Sequence, residues 1–490
     1  MLGCMGGKKM GRFSDLLSGY MNRQGAKAAD LAVSCGMNRS MMYKILQGTR
    51  NLPSLSLIEQ IGSFLRLSET EKERLKEAYT MDEDGEFIVR RRKSIEDMLK
   101  AMPADSGTFP LKASINITFP ADIPDIVPLS SEEQINGILF NILLAEAENG
   151  HNGIRIFSNV LRNATLNSLL YILANHPETG CEHIISFSKS RSEVIPEEHN
   201  LTAFSRIIRC ATINRQYNAY SFYSASAGDN DLIADFSTFF ITQEYVLTCA
   251  NDMKSAILCH SKEITEFYGR IWQHLKELST PVISRFNGAS SSLSFLAASN
   301  QPGGDELVRL EPFPCLFGQC DEKLIDEVMI QDIPERSAFL RNVLGILTNY
   351  RKQLNNPESH IFSIHSVRGF RKFAISGILP EIPRSFYTPF NHDQKIRLLN
   401  NYLNHLDQMN VCFMKEEKTT LADSICLTLV RNTVSLQVVD ATGQPLGLSI
   451  NEPGLYLDFK DYTGSLLKDP SLFMSKDQVK EYITYLIHQN

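Results

Sequence analysis

No part of this 490-residue chain is apolar for long. The longest strongly apolar stretch lies near Ile135–Ala145, and Asn136 and Asn141 interrupt it. A membrane-spanning helix needs about 20 apolar residues, so no membrane partner is expected. The opening run MLGCMGGKKMGRFSD has no apolar core and does not read as a secretory signal. The expected location is therefore the cytoplasm. The ten cysteines are scattered with no CxxC pair, which excludes a zinc knuckle and a thioredoxin-like motif. Cys315 and Cys320 are the closest-spaced, and they read as small buried hydrophobes. GxSxG, a Walker loop, GxGxxG and HExxH are all missing. The eleven histidines include no i,i+4 pair. No catalytic residue, metal site or cofactor is expected, and the chain does not read as an enzyme. No 34-residue period is visible either, which argues against a helical repeat array.

What is present is a charge asymmetry. The chain carries a net charge of -7, yet Met1 to Arg66 holds nine Lys or Arg against Asp15, Asp30 and Glu59, a net of +6. The remainder then carries -13. A basic head on an acidic body is the pattern of a nucleic-acid reader attached to something else.

The head is helical by periodicity. Phe13, Leu16, Leu17 and Tyr20 recur at i, i+3, i+4, i+7. A short helix is predicted from about Lys27 to Ser34, a turn at Cys35-Gly36-Met37, and another helix from about Arg39 to Leu46 with Asn38 as its cap. Ala32 is small enough to sit where two steeply crossed helices touch, and Gly36 accepts the positive φ of a tight turn. Met42 and Ile45 would face the core. Helices over Leu57–Leu65 and Glu69–Tyr79 complete the unit.

The run LAVSCGMNRSMMYKILQGTRNLPS, Leu31 to Ser54, resembles the Cro and phage-repressor (XRE) helix-turn-helix family. Leu31-Ala32, Gly36, Asn38, Ser40, Ile45, Gly48, Arg50, Asn51 and Pro53 stand where that family has its usual residue types. The resemblance covers about Phe13–Tyr79. It departs at Ala28, where the family often has Gln, and at Met41-Met42-Tyr43, which is less polar than usual. It implies double-stranded DNA as partner, read by a homodimer because one module reads only a half-site. The front of the third helix then supplies the base-contacting candidates. Arg39 or Lys44 would donate to guanine, Ser40 would bond a base edge or a phosphate, Met41 would touch a thymine methyl, and Tyr43 lies beside them. Lys27, Asn38, Arg50 and Asn51 are the phosphate candidates, and Lys8, Lys9 and Arg12 would add nonspecific attraction.

Beyond the head, Met81–Glu86 reads as an acidic, flexible break. Arg90–Lys93 is a basic run, read as a solvated helix face more readily than as a second phosphate contact. Five prolines between Pro103 and Pro128 mark a linker or an irregular lead-in strand. The rest reads as mixed α/β. Its strands are expected at Ile154–Phe157, His183–Phe187, Tyr217–Tyr223, Phe239–Thr248, Ser255–Cys259, His360–Ile364, Asn410–Met414, Ile425–Val430, Val434–Val439, Leu446–Ile450 and Leu455–Phe459. Between them lie helices, notably the amphipathic one carrying Ile264, Phe267, Tyr268, Ile271 and Trp272. A Ser/Gly/Ala/Asn-rich stretch, Ser279–Gly304, reads as a boundary, after which the element order recurs.

The fold expected is therefore multidomain: an all-α helix-turn-helix domain (10–80), a linker with a short helix (81–129), an α/β lobe (130–280), a second linker (281–304) and another α/β lobe (305–490), the recurrence suggesting duplication. In outline the halves resemble degenerate phospholipase-D-like or periplasmic-type sensor lobes, a likeness of fold that carries no function. His260-Ser261-Lys262 has the His-x-Lys form of phospholipase D enzymes, but Phe267 and Tyr268 occupy the region where the partner aspartate is required. The aromatic residues Tyr217, Tyr220, Phe222 and Tyr223 fit either a pocket lining or, more readily, sheet packing. The function expected is a DNA-binding transcription regulator whose body senses a small-molecule or protein effector, mediates dimerisation, or both. The alternatives are an enzyme with an autoregulatory head and a protein-interaction scaffold.

Overall fold

The computed structural model describes residues 11–102, 124–150, 153–158, 161–188, 199–224, 238–250, 252–286, 307–354, 361–380, 382, 384–419, 422, 425–430, 432–439 and 445–489. Lys8 and Lys9, most of the proline-rich stretch, and 287–304 of the second linker lie outside the described residues. Among the described residues no helix is long and apolar enough to cross a membrane.

Five helices form the head: α1 (Arg12–Gln24), α2 (Ala28–Ser34), α3 (Arg39–Leu46), α4 (Leu57–Phe64) and α5 (Glu69–Asp84). Their apolar faces close on one cluster that includes Phe13, Leu17, Leu31, Met42, Ile45, Ile58, Ile61 and Leu75. Ser68 opens α5 with a capping box, its hydroxyl accepting from Glu71 N–H while the Glu71 carboxylate accepts from Ser68 N–H. The acidic segment expected to be a flexible break is helical. α5 runs to Asp84 and α6 (Glu86–Ala101) starts one residue later, so only Gly85 interrupts. The Asp82 carboxylate accepts from the first two N–H groups of α1, Arg12 and Phe13. Anions suit a helix N-terminus, and this bond orders the acidic run instead of leaving it loose.

The first lobe is built from β1 (Ile126–Leu129), α7 (Glu132–Asn149), β2 (Ile154–Phe157), α8 (Asn163–Asn175), β3 (Cys181–Ser188), α9 (His199–Ile213), β4 (Tyr217–Ser224), β5 (Thr238–Ile241), β6 (Val246–Cys249), β7 (Ala256–Cys259), α10 (Lys262–Glu277) and β8 (Thr280–Pro281). Its sheet runs in the order β1-β7-β6-β5-β2-β3-β4-β8, with β2, β3 and β4 mutually parallel and the other pairings antiparallel. Alternate residues face different cores: Ile185, Phe240 and Leu247 join the cluster that holds the apolar faces of α7, α8 and α9, while Ile184, Phe239 and Val246 belong to the one that holds Trp272 of α10. Strands covered on both sides read as near-continuous apolar runs.

The second lobe comprises β9 (Ile283–Phe286), β10 (Leu307–Glu311), α11 (Glu322–Val328), α12 (Arg336–Leu354), β11 (Ile361–Ser366), α13 (Arg368–Ser376), α14 (His392–His405), β12 (Val411–Met414), β13 (Ile425–Val430), β14 (Thr433–Val439), β15 (Pro445–Ile450), α15 (Pro453–Leu467), β16 (Phe473–Met474) and α16 (Lys476–Gln489). Its order is β9-β15-β14-β13-β10-β11-β12-β16, again with only β10, β11 and β12 parallel. Each strand of the second sheet thus takes the place of the strand eight positions earlier, and the two lobes share one topology. The equivalence reaches side chains. His183 on β3 lies opposite Ile156 and bonds the carbonyl of Ser158, two residues on. His365 on β11 lies opposite Glu311 and bonds the carbonyl of Phe313, again two residues on.

Three further expectations are corrected. Leu455–Phe459 is not a strand but the start of α15: Pro453 opens the helix, the Glu452 carboxylate accepts from Leu455 N–H, and Leu455, Tyr456, Phe459 and Tyr462 are buried at helical spacing. The start of the Ser279–Gly304 stretch is not irregular, because β8 and β9 occupy it and carry the chain from the edge of one sheet to the edge of the other. Arg91 and Arg92 are not a solvated face. Arg91 is buried against Asp458 and Asp461, and Arg92 is held between Asp84 and Asp461. The aromatic segment of β4 packs the sheet: Tyr217 is buried on His183, and Phe222 stacks on Phe157.

Candidate nucleic-acid interface

α2 and α3 meet through a turn that only certain residues permit. Gly36 adopts φ 62°, where a Cβ is strained. Its neighbour Met37 donates its N–H to the Ala32 carbonyl at 2.8 Å, closing the end of α2. Asn38 then caps α3, its side-chain oxygen accepting from Met41 N–H at 2.7 Å. The back of α3, Met42 and Ile45, is buried beneath α1 and α2. That anchoring turns Arg39, Ser40, Tyr43 and Lys44 outward, and all four are exposed; Met41 is half-buried at the edge.

Within this row the Arg39 guanidinium lies 5.6 Å from the Tyr43 ring centre and reaches the phenol oxygen at 3.5 Å. That hydrogen bond pushes the arginine pKa up. Thr49 ties off the end of α3 by donating its hydroxyl and its N–H to the Lys44 carbonyl. Lys27 is the exposed N-cap residue of α2, and Arg50 is exposed beyond α3. Asn51 is exposed as well, but its side-chain amide donates to Glu83 at 2.7 Å and so is tied to α5. Asn38, grouped with the phosphate candidates, spends its side-chain oxygen on the cap. Asn38→Ala is therefore expected to lower head stability by about 1 kcal/mol, read as thermal melting, while Asn38→Asp leaves it near wild type. Equal melting of both variants and the wild type would rule the cap unimportant.

The structure thus groups Arg39, Ser40, Tyr43 and Lys44 on one exposed helix face, with Lys27 and Arg50 at the ends of the same two-helix unit. Sequence reasoning missed the groups that fix the head to the body. Lys76 of α5 is buried, with Glu59 at 3.1 Å, Asp469 at 3.5 Å and the Ser471 hydroxyl at 2.7 Å. Lys418 reaches Glu73 at 2.7 Å. None of these groups lies on α2 or α3. No local signal marks them, because their partners are hundreds of residues away. His260 follows β7 and stacks on Tyr245 at 4.7 Å between ring centres.

Residues 12–75 match the family model described as a helix-turn-helix domain, and the XRE-type resemblance is a close fit to it. The head is a helix-turn-helix domain, followed by a mixed α/β region of two lobes. No curated protein matches the chain. Among solved structures, phosphatidylserine synthase from Haemophilus influenzae Rd KW20 is 10% identical, with 81% of this chain and 97% of that chain covered at a TM-score of 0.22. Polyphosphate kinase from Porphyromonas gingivalis is also 10% identical, with 69% and 49% covered and the same TM-score of 0.22. At that score neither likeness bears on function.

Proposed function

We propose that this protein is a cytoplasmic, DNA-binding transcription regulator, dimeric on its operator, whose two-lobed body senses a ligand or partner and holds the dimer rather than catalysing a reaction. The observation that carries the reading is the exposed row Arg39, Ser40, Tyr43 and Lys44 on a helix whose other side is locked into the head's core. The major groove admits such a helix and displays a distinct donor and acceptor pattern for each base pair. In this reading Arg39 and Lys44 donate to base edges, Ser40 bonds a base or a phosphate, and Lys27 and Arg50 neutralise phosphates on either side. Tyr43 holds the Arg39 guanidinium in place before DNA arrives, which spares part of the ordering cost of a free arginine. The body shifts the population between DNA-competent and incompetent forms by binding one of them better.

The test is retention of the DNA upstream of the protein's own coding sequence at about 50 mM and about 200 mM salt. Wild-type binding is expected to weaken with salt. Arg39→Ala with Lys44→Ala is expected to weaken it at both concentrations, each lost base contact costing about 1–3 kcal/mol, while Lys27→Ala lowers the salt slope by about 1. Salt-independent retention by the wild type, or full retention by the double variant, refutes DNA reading by this helix.

A further inference from the structure

We propose that the helix-turn-helix head is a movable unit, hinged at Gly85 and latched onto the second lobe by ion pairs, so that opening the latch frees the head's orientation.

The first observation is that the two sides of the seam have separate cores. The head's buried apolar cluster ends at Ala78 of α5, with half-buried Tyr79 packed against it. One residue past the hinge, α6 belongs to the body: its Ile95, Met98, Leu99 and Met102 lie in the cluster shared by the inner faces of the two sheets. Neither buried cluster takes a residue from the other side.

The second observation is what spans the seam instead. Lys76 meets Asp469 at 3.5 Å and Ser471 at 2.7 Å, Glu73 meets Lys418 at 2.7 Å, and Asp84 takes Arg92 at 2.5 Å with Lys468 at 4.0 Å. Arg92 is in turn fixed to the body by two bonds to Asp461, at 2.8 and 2.9 Å. Burial opposes the charge on Arg92, but Asp461 and Asp84 outweigh it and raise its pKa, while Glu73 raises that of Lys418. The latch is charged on both sides. Beside it an open cleft of about 1030 Å³ lies between α5 on the head side and α6 and α15 on the body side, lined by Glu77, Tyr79, Val89, Lys93, Ser465 and Leu466 among others. Apolar packing does not fill this seam, so the head has room to move once the ion pairs part.

The third observation is the hinge. Gly85 alone separates α5 from α6, at φ 93° and ψ 148°, a conformation open in practice only to glycine. A Cβ placed there would meet nothing within 4 Å, so glycine is required by the backbone angle and not by crowding. A pivot of one residue with free space around it lets two rigid helices change their angle without disturbing either core.

Ion pairs with part of their surface in water, here Glu73–Lys418 most of all, are screened as salt rises, the Debye length falling to about 3 Å at about 1 M, while the more buried Lys76–Asp469 pair is screened less. An apolar seam would not respond in that direction. The device concerns only where the head points, so it is measured without DNA and stands or falls separately from the reading of the operator.

The experiment uses the full chain with spin labels at exposed Asp30 of α2 and exposed Lys262 of α10. They are attached through non-natural residues because the chain has ten cysteines of its own. In the wild type at low salt a single narrow distance distribution is expected, broadening at about 1 M salt. The body-side variant Asp469→Lys with Lys418→Glu, which leaves the head's sequence intact, is expected to broaden it at low salt. In the single variant Lys418→Glu, adding Glu73→Lys re-forms the pair with reversed charges and is expected to narrow the distribution again. A narrow distribution that survives both high salt and the double variant overturns the proposal, as does a broad one in the wild type at low salt. Where the double variant fails to fold, the single variant Lys418→Glu decides: a distribution that stays narrow in it and at high salt overturns the proposal.

Discussion

Acidification from pH 7 to pH 5 is expected to remove about 4 kcal/mol from the stability of the body, through two buried histidines. His183 lies at the centre of the first lobe. Its Nε2–H donates to the Ser158 carbonyl at 3.2 Å and its Nδ1 accepts from the Tyr217 hydroxyl at 2.7 Å. Burial pushes its pKa down to about 4 against the partial support of the Ser158 carbonyl. His365 occupies the equivalent place in the second lobe. It donates Nδ1–H to Phe313 at 3.0 Å, and burial pushes it to about 3, with nearby Arg309 adding to the shift. The Glu311 carboxyl 3.2 Å away does not reverse this, because burial pushes that group up, toward its own uncharged form.

In the unfolded chain both imidazoles titrate near 6.5. Between there and about pH 4 the unfolded state binds more protons than the native one, so stability is complete above about 6.5 and falls as the pH drops. At pH 5 each histidine accounts for about 2 kcal/mol of the loss. Carboxylates held low by partners, such as Glu71 at about 2 beside Arg23, begin to matter only below the ordinary carboxylate range, while Glu311, pushed up by burial, takes up its proton first in the native state and offsets part of the loss at His365. Urea unfolding at the two pH values measures the effect. His183→Gln with His365→Gln is expected to flatten the difference, and an undiminished difference in that variant would assign the acid sensitivity elsewhere.

That the two histidines are equivalent was hidden in the sequence, where they sit in stretches with little identity. The recurrence of strands and helices was visible, since apolar runs bounded by polar turns depend only on neighbouring residues. The same is true of the head: Gly36 for a positive φ, Asn38 for a cap, and Met42 with Ile45 for a buried back are all local requirements, and α2, α3 and the outward row of α3 follow from them. Local patterns also misled. Leu455-Tyr456-Leu457-Asp458-Phe459 alternates as a strand would, and only Pro453 and the carboxylate of Glu452 mark it as a helix start. What could not be read were bonds across the chain. Arg92 and Asp461, or Glu73 and Lys418, look like ordinary surface charges until folding brings their elements together. The candidate DNA-facing side chains were therefore legible, and the attachment that aims them was not.

The same limit applies to Glu146, which stands near the end of α7 among other acidic residues and is nevertheless buried. One carboxylate oxygen accepts from Gly153 N–H at 3.1 Å, where β2 is about to begin, and the other from Gln243 N–H at 2.8 Å, in the turn between β5 and β6. A single side chain thus joins a helix, the lead into a central strand and a hairpin turn. Neither N–H can move to another acceptor without shifting its strand. Gly153 is pinned further, at φ 88°, with the Gly180 carbonyl oxygen only 2.5 Å from where a Cβ would be. Glu146→Leu fills similar volume but removes both acceptors, and each stranded donor costs about 1–3 kcal/mol. A loss of about 3–5 kcal/mol is expected, or roughly 10 °C in the melting of a lobe this size. Glu146→Gln keeps one acceptor but turns an amide N–H₂ toward the second donor, so an intermediate loss is expected. The head, with its own core, should melt as in the wild type. If Glu146→Leu melts within about 1 kcal/mol of the wild type, these two hydrogen bonds do not hold the first lobe together.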